Sequence, residues 1–149
     1  MKIVLLEDDY LQSDLIISEI QASLKNVRIT LIDTEFSFLS SFSDFEKDLP
    51  DVFLLDIMIR WADTSPNIPP APQEVKEEGF FTAGFRCQRT LTQNSKLKDI
   101  PIIFYSVLDK IDLEDKLKNM PKTVSHVSKE KDISYLVDHM KRILHNKLT

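Results

Sequence analysis

The chain has 149 residues, 42% of them hydrophobic and 29% charged, enough apolar content for one domain-sized core and too much for a disordered chain. Nineteen Lys and Arg against 24 Asp and Glu leave a net charge of -5, the wrong sign for direct contact with nucleic acid. One cysteine, Cys87, excludes an internal disulfide, and two glycines, Gly79 and Gly84, exclude both a GxGxxG turn and a P-loop.

The first apolar run, residues 3–6, predicts a strand and is cut off by Glu7-Asp8-Asp9, too short and too soon acidic for a signal peptide. Leu11, Leu15, Ile16, Ile20 and Leu24 predict the apolar stripe of a first helix. A strand over 27–32 follows, then a helix carrying Phe38, Phe42, Phe45 and Leu49, then a strand over 52–55 that ends in Asp56. Residues 60–78 hold Pro66, Pro69, Pro70 and Pro72 before a charged stretch, a proline density that predicts an irregular insertion. Phe81, Phe85, Gln88 and Leu91 predict another helix, with Cys87 as a packing residue. A strand over 100–105 leads to Ser106, a short helix over 111–117 is capped by Asp109 or Asp112, and a weaker strand over 123–127 leads to Ser128-Lys129. Ile133, Leu136, Val137, Met140, Ile143 and Leu144 mark the last helix.

Strands and helices alternate five times, and short apolar runs suit strands buried on both faces. The expected fold is therefore α/β, a doubly wound five-stranded parallel sheet with helices on both faces, as a single domain over 1–149. No run approaches the roughly 18 apolar residues of a membrane span, so no membrane partner is expected. With a lone cysteine, the expected location is cytoplasmic.

In such a sheet, ligands bind beyond the carboxyl ends of the strands, and those ends carry Glu7, Asp8, Asp56, Ser106 and Lys129, with Lys131 a rival for the lysine. Carboxylates that converge there call for a cation, and hard oxygen ligands suit Mg²⁺. Asp56 is then a candidate nucleophile toward a phosphoryl donor, with Ser106 and Lys129 binding the transferred oxygens. Each piece also has a plainer reading: an acidic triplet after a strand is commonly a solvated turn or helix cap, and serines and lysines at strand ends are commonplace.

Together these segments resemble the receiver domains of two-component response regulators. The residues that carry the likeness are Ile3-Val4-Leu5-Leu6-Glu7-Asp8-Asp9, Val52-Phe53-Leu54-Leu55-Asp56, Asp99-Ile100-Pro101-Ile102-Ile103-Phe104-Tyr105-Ser106 and Val127-Ser128-Lys129. The resemblance implies a flavodoxin-like receiver fold, Asp56 as phosphoacceptor, and a metal site made by Glu7, Asp8, Asp56 and the Met58 carbonyl. It also implies Ser106 as the switch hydroxyl and Lys129 as the phosphoryl-contacting lysine, with a sensor histidine kinase or histidine phosphotransfer protein upstream and a protein target downstream. His126 falls at the family's aromatic switch position, where an ordinary partly exposed histidine is an equal reading. Val107 after the switch hydroxyl, Glu130 after Lys129, and Arg60-Trp61 in place of a Pro-Gly turn depart from the pattern, and the loop after Asp56 is longer than the family form.

Two further functions compete with a working receiver. A receiver-like module that is no longer phosphorylated would use the proline-rich segment as an extended binding strip. A phosphatase of the haloacid-dehalogenase kind would need an acid two residues after the nucleophile, where Met58 stands. Trp61 reads as an anchor for its loop, and His139 and His145, six apart, are poorly spaced for a joint metal site.

Overall fold

The computed structural model describes residues 1–145. Five parallel strands, β1 (Lys2–Leu6), β2 (Arg28–Ile32), β3 (Val52–Leu55), β4 (Ile102–Ser106) and β5 (Val124–Ser128), form one sheet in the order β2-β1-β3-β4-β5. The order reverses between β1 and β3, which opens a crevice at their carboxyl ends. The helices are α1 (Tyr10–Ser23), α2 (Glu35–Ser40), α3 (Phe42–Lys47), α4 (Gln73–Glu78), α5 (Ala83–Gln93), α6 (Lys110–Lys118) and α7 (Ser134–Ile143).

Strands β1, β3 and β4 are buried on both faces, which is why they read as unbroken apolar runs. On one face Val4, Leu6, Phe53, Leu55 and Phe104 pack with residues of α2, α3, α5 and α6; on the other, Ile3, Leu5 and Leu54 pack with α1 and α7. Phe38, Phe45 and Phe53 meet with ring centroids 5.3–5.9 Å apart and fasten α2 and α3 to β3.

Several expectations need correction. Of the expected stripe on α1, Ile16, Ile20 and Leu24 are buried, but Leu11 and Leu15 are 82% and 54% exposed, and Ser13 faces the sheet in their place. The helix expected over Phe38 to Leu49 is two helices broken at Ser41, with Leu49 exposed. β2 is an edge strand that leaves Thr30 and Leu31 exposed, so it is not buried on both faces. Segment 60–78 is not wholly irregular, because α4 starts directly after Pro72, whose fixed φ suits a helix entrance. Phe81 lies outside α5, in a 3-10 turn over Phe80–Thr82, and is exposed.

Candidate functional site

The paired register Leu6↔Leu55 sets the residues that follow strands β1 and β3, Glu7 and Asp56, side by side. Backbone bonds fix them there: the Asp56 amide donates to the Leu6 carbonyl and the Glu7 amide to the Ile32 carbonyl, each at 3.0 Å. One carboxylate oxygen from each of Glu7, Asp8 and Asp56 falls within a 4.8 Å group, with Glu7 and Asp56 buried and Asp8 half-buried. That donor set, all hard oxygens and partly open to water, fits a small divalent cation. Asp9 takes no part; its side chain caps α1 by accepting from the Leu11 and Gln12 amides.

The register Ser106↔Ser128 and a 2.8 Å bond from the Lys129 amide to the Ser106 carbonyl place Lys129 at the same edge. Its Nζ donates to Glu7 Oε1 at 2.5 Å and to Asp56 Oδ2 at 3.0 Å. Asp56 Oδ1 accepts from the Ile57 amide at 2.7 Å, so both oxygens of that carboxylate are oriented. Burial, and then the charge of Asp56, push the Glu7 carboxyl up to about 7, against the pull of Lys129. Burial works against the Lys129 ammonium, but the Asp56 and Glu7 carboxylates outweigh it and hold Lys129 above its ordinary value.

Ser106 is fully buried, and its Oγ accepts from the Leu108 amide at 3.3 Å, which turns the hydroxyl toward its own loop. Met58 is half-buried in the loop after Asp56. Val107 is 51% exposed. His126 lies on β5 opposite Phe104, half-buried, its pKa lowered by burial, and its Nε2 has no hydrogen-bond partner. Lys131 stacks over Tyr135 at 5.2 Å and leaves the site to Lys129. Cys87 is fully buried with its thiol pKa raised by burial, as a packing residue should be. His139 pairs with Ser125 at 2.7 Å. Trp61 packs edge-on against Phe36 at 5.6 Å, and its carbonyl accepts from the Phe36 amide.

Three features of the site were not anticipated. The Gly84 amide donates to the Ile57 carbonyl at 2.9 Å, and a Cβ on Gly84 would lie 2.3 Å from the Asp56 carbonyl oxygen. So α5 rests directly on the loop at Asp56, and a glycine at a helix start in a chain with only two was the available signal. Arg60 donates from its backbone amide to Asp8 Oδ2 at 3.3 Å, while its guanidinium faces Asp8, Asp33 and Asp63. The buried Arg86 forms a two-pronged bond with buried Glu35 at 2.8 and 2.7 Å, and reaches Glu78, Thr82 and the Gly79 carbonyl. This clasp ties segment 78–82 to α2 and α5.

No protein-family profile and no curated protein matches the sequence. Solved structures do match. The receiver domain of a sensor histidine kinase from Pseudomonas aeruginosa, with magnesium coordinated in its active-site cleft, aligns with a TM-score of 0.66 and 16% identity over 97% of each chain. The Mn²⁺-bound response regulator Rcp1 aligns at 0.62 and 18%, over 99% of this chain and 94% of that one. A phosphorylated cyanobacterial phytochrome response regulator aligns at 0.62 and 18%, over 96% and 90%. The chain has the receiver-domain fold. Among the described residues, no helix of this receiver-like chain is long and apolar enough to cross a membrane.

Proposed function

We propose that this chain is a receiver that accepts a phosphoryl group on Asp56 from a phosphohistidine of a sensor histidine kinase or phosphotransfer protein, with Mg²⁺ as cofactor. The observation that carries the reading is the joint contact of Lys129 Nζ with Glu7 and Asp56 beside three clustered carboxylates. The metal-bound and phosphorylated neighbours support it by fold.

In the transfer, an Asp56 carboxylate oxygen bonds to phosphorus as the donor's P–N bond breaks and the imidazole leaves with the electron pair. Glu7, Asp8, Asp56 and the Met58 carbonyl would hold the metal, which supplies positive charge against the phosphoryl oxygens. Lys129, kept in place by Glu7, exchanges its bond to Asp56 for one to a transferred oxygen. The Ser106 hydroxyl gives up the Leu108 amide and turns inward, and the resulting shift changes which protein target binds. We place this single domain in the cytoplasm.

The test is intact-protein mass after incubation with acetyl phosphate and Mg²⁺. One added phosphoryl group, lost in Asp56→Asn and without metal, is the expected result; labelling that survives Asp56→Asn overturns the assignment. A second reading, an unphosphorylated interaction module using segment 60–78, is favoured by Arg60 lying against Asp8. Under it neither acetyl phosphate nor a phosphohistidine donor labels the chain.

A further inference from the structure

We propose that Arg60 is a built-in counter-cation that competes with the divalent metal for Asp8, so that metal occupancy and the seating of the loop at residues 60–63 are linked. The inference rests on the reading of Glu7, Asp8 and Asp56 as a metal site. Arg60 follows Asp56 by four residues, and its guanidinium is shared unequally. It lies 3.8 Å from Asp8, 3.2 Å from Asp33 and 2.8 Å from Asp63. Asp8 is also the most exposed of the three clustered carboxylates. The weakest of the three arginine contacts therefore falls on the one metal candidate that solvent already reaches.

Two cations drawn to one carboxylate repel each other. A metal arriving at Asp8 drives Arg60 off it, and the arginine does not become unpaired, because Asp33 and Asp63 retain it. The displacement is small in extent but rigidly transmitted. The Arg60 amide donates to Asp8, the Arg60 carbonyl accepts from the Glu35 amide at 3.0 Å, and the Trp61 carbonyl accepts from the Phe36 amide at 2.8 Å. Trp61 is pressed edge-on against Phe36, and its buried Nε1 has no hydrogen-bond partner to hold it in a fixed orientation. Linkage is reciprocal. A protein that presses Arg60 onto Asp8 loosens the metal, and one that holds Arg60 on Asp33 and Asp63 tightens it.

The experiment is a Mg²⁺ titration of the full chain by calorimetry and by fluorescence of Trp61, the single tryptophan. Arg60→Met is compared with wild type and with Arg89→Met, which removes the same charge from an exposed pair with Glu74. Arg60→Gln replaces Arg60→Met if the latter does not fold. Removing a unit charge about 4 Å from a ligand carboxylate, discounted for exposure, should tighten Mg²⁺ about fivefold to tenfold, and Arg89→Met should change nothing. In wild type the Trp61 emission should shift with the calorimetric midpoint, and in Arg60→Met that shift should shrink. Equal affinity in wild type and Arg60→Met overturns the proposal while leaving the metal site standing. Tighter binding with a silent Trp61 in wild type overturns the linkage to the loop. Absence of Mg²⁺ binding in every variant overturns the metal reading beneath it.

Discussion

Gly84 offers a sharp test of how the loop at Asp56 is supported. In Gly84→Ala the new Cβ would sit 2.3 Å from the Asp56 carbonyl oxygen and 2.6 Å from Ile57 Cα, both well short of the 3.4 Å at which ordinary contact begins. Both neighbours are backbone, so neither can swing aside as a flexible side chain would. Overpacking of this kind costs about 1–3 kcal/mol or more, and backbone partners put it at the upper end. Alanine's better helix propensity returns at most about 1 kcal/mol, leaving a net loss of about 2 kcal/mol. In urea, with a slope of about 2 kcal/mol per molar, the midpoint should fall by about 1 M. Because the strain is relieved by moving Asp56, labelling by acetyl phosphate should fall as well, by up to about 100-fold for a 1 Å displacement. Gly79→Ala separates the two effects. Gly79 has φ +75 and ψ -170 with open space around its missing Cβ, so alanine there costs about 1–3 kcal/mol of backbone strain. It should lower the midpoint and leave Asp56 labelling intact. An unchanged midpoint in Gly84→Ala, or equal loss of labelling in the two variants, would refute the reasoning.

Two other outcomes follow from the charged groups. Arg86→Met strands the Glu35 carboxylate in a buried setting and should cost about 3 kcal/mol in urea denaturation, whereas Glu35→Leu/Arg86→Met should recover most of that loss; equal stability of the single and double variants would count against a true buried pair. The Glu7 carboxyl, raised from 4.5 to about 7 by burial and then by Asp56, binds more protons in the folded chain than in the unfolded one between those values. The Glu7 contribution to stability is therefore full below about pH 4.5 and is lost as pH rises through about 7, by about 3 kcal/mol at most. Metal-free denaturation at pH 5 and pH 8 should show this slope in wild type and its loss in Glu7→Gln. Under the proposed metal reading Mg²⁺ would bind the ionised carboxylate and restore stability at pH 8.

The sequence was most legible where burial is symmetrical. β1, β3 and β4 lie under helices on both faces, so apart from Lys2 at the start of β1 and Ser106 at the end of β4 their positions form apolar runs and the strands announce themselves. The edge strand β2 has one such residue at its end, Ile32, and its other apolar positions face outward at least in part, so the run over 27–32 overstated its burial. On α1, apolar residues lie on more than one side. The expected stripe therefore joined the buried Ile16, Ile20 and Leu24 to Leu11 and Leu15, which lie on the exposed side, and passed over the buried Ser13.

The same distinction governs the site. Glu7, Asp8, Asp56, Ser106 and Lys129 stand at the ends of strands, so the parallel topology brings them to one edge, and the order of the runs along the chain was enough to expect that convergence. Arg60, Glu35 and Arg86 are placed by pairing: Arg60 reaches Asp8 across 52 residues and Arg86 reaches Glu35 across 51. No local period marks either contact, and an arginine in a proline-rich stretch reads as solvated. Of these cations only Arg60 touches the acidic edge, at Asp8, and a carboxylate that already faces a guanidinium would bind a metal differently from one that faces water. The strand-end groups are therefore visible in the order of the runs, whereas Arg60, which lays its loop against Asp8, and Arg86, which ties segment 78–82 to α2 and α5, are visible only in the folded chain.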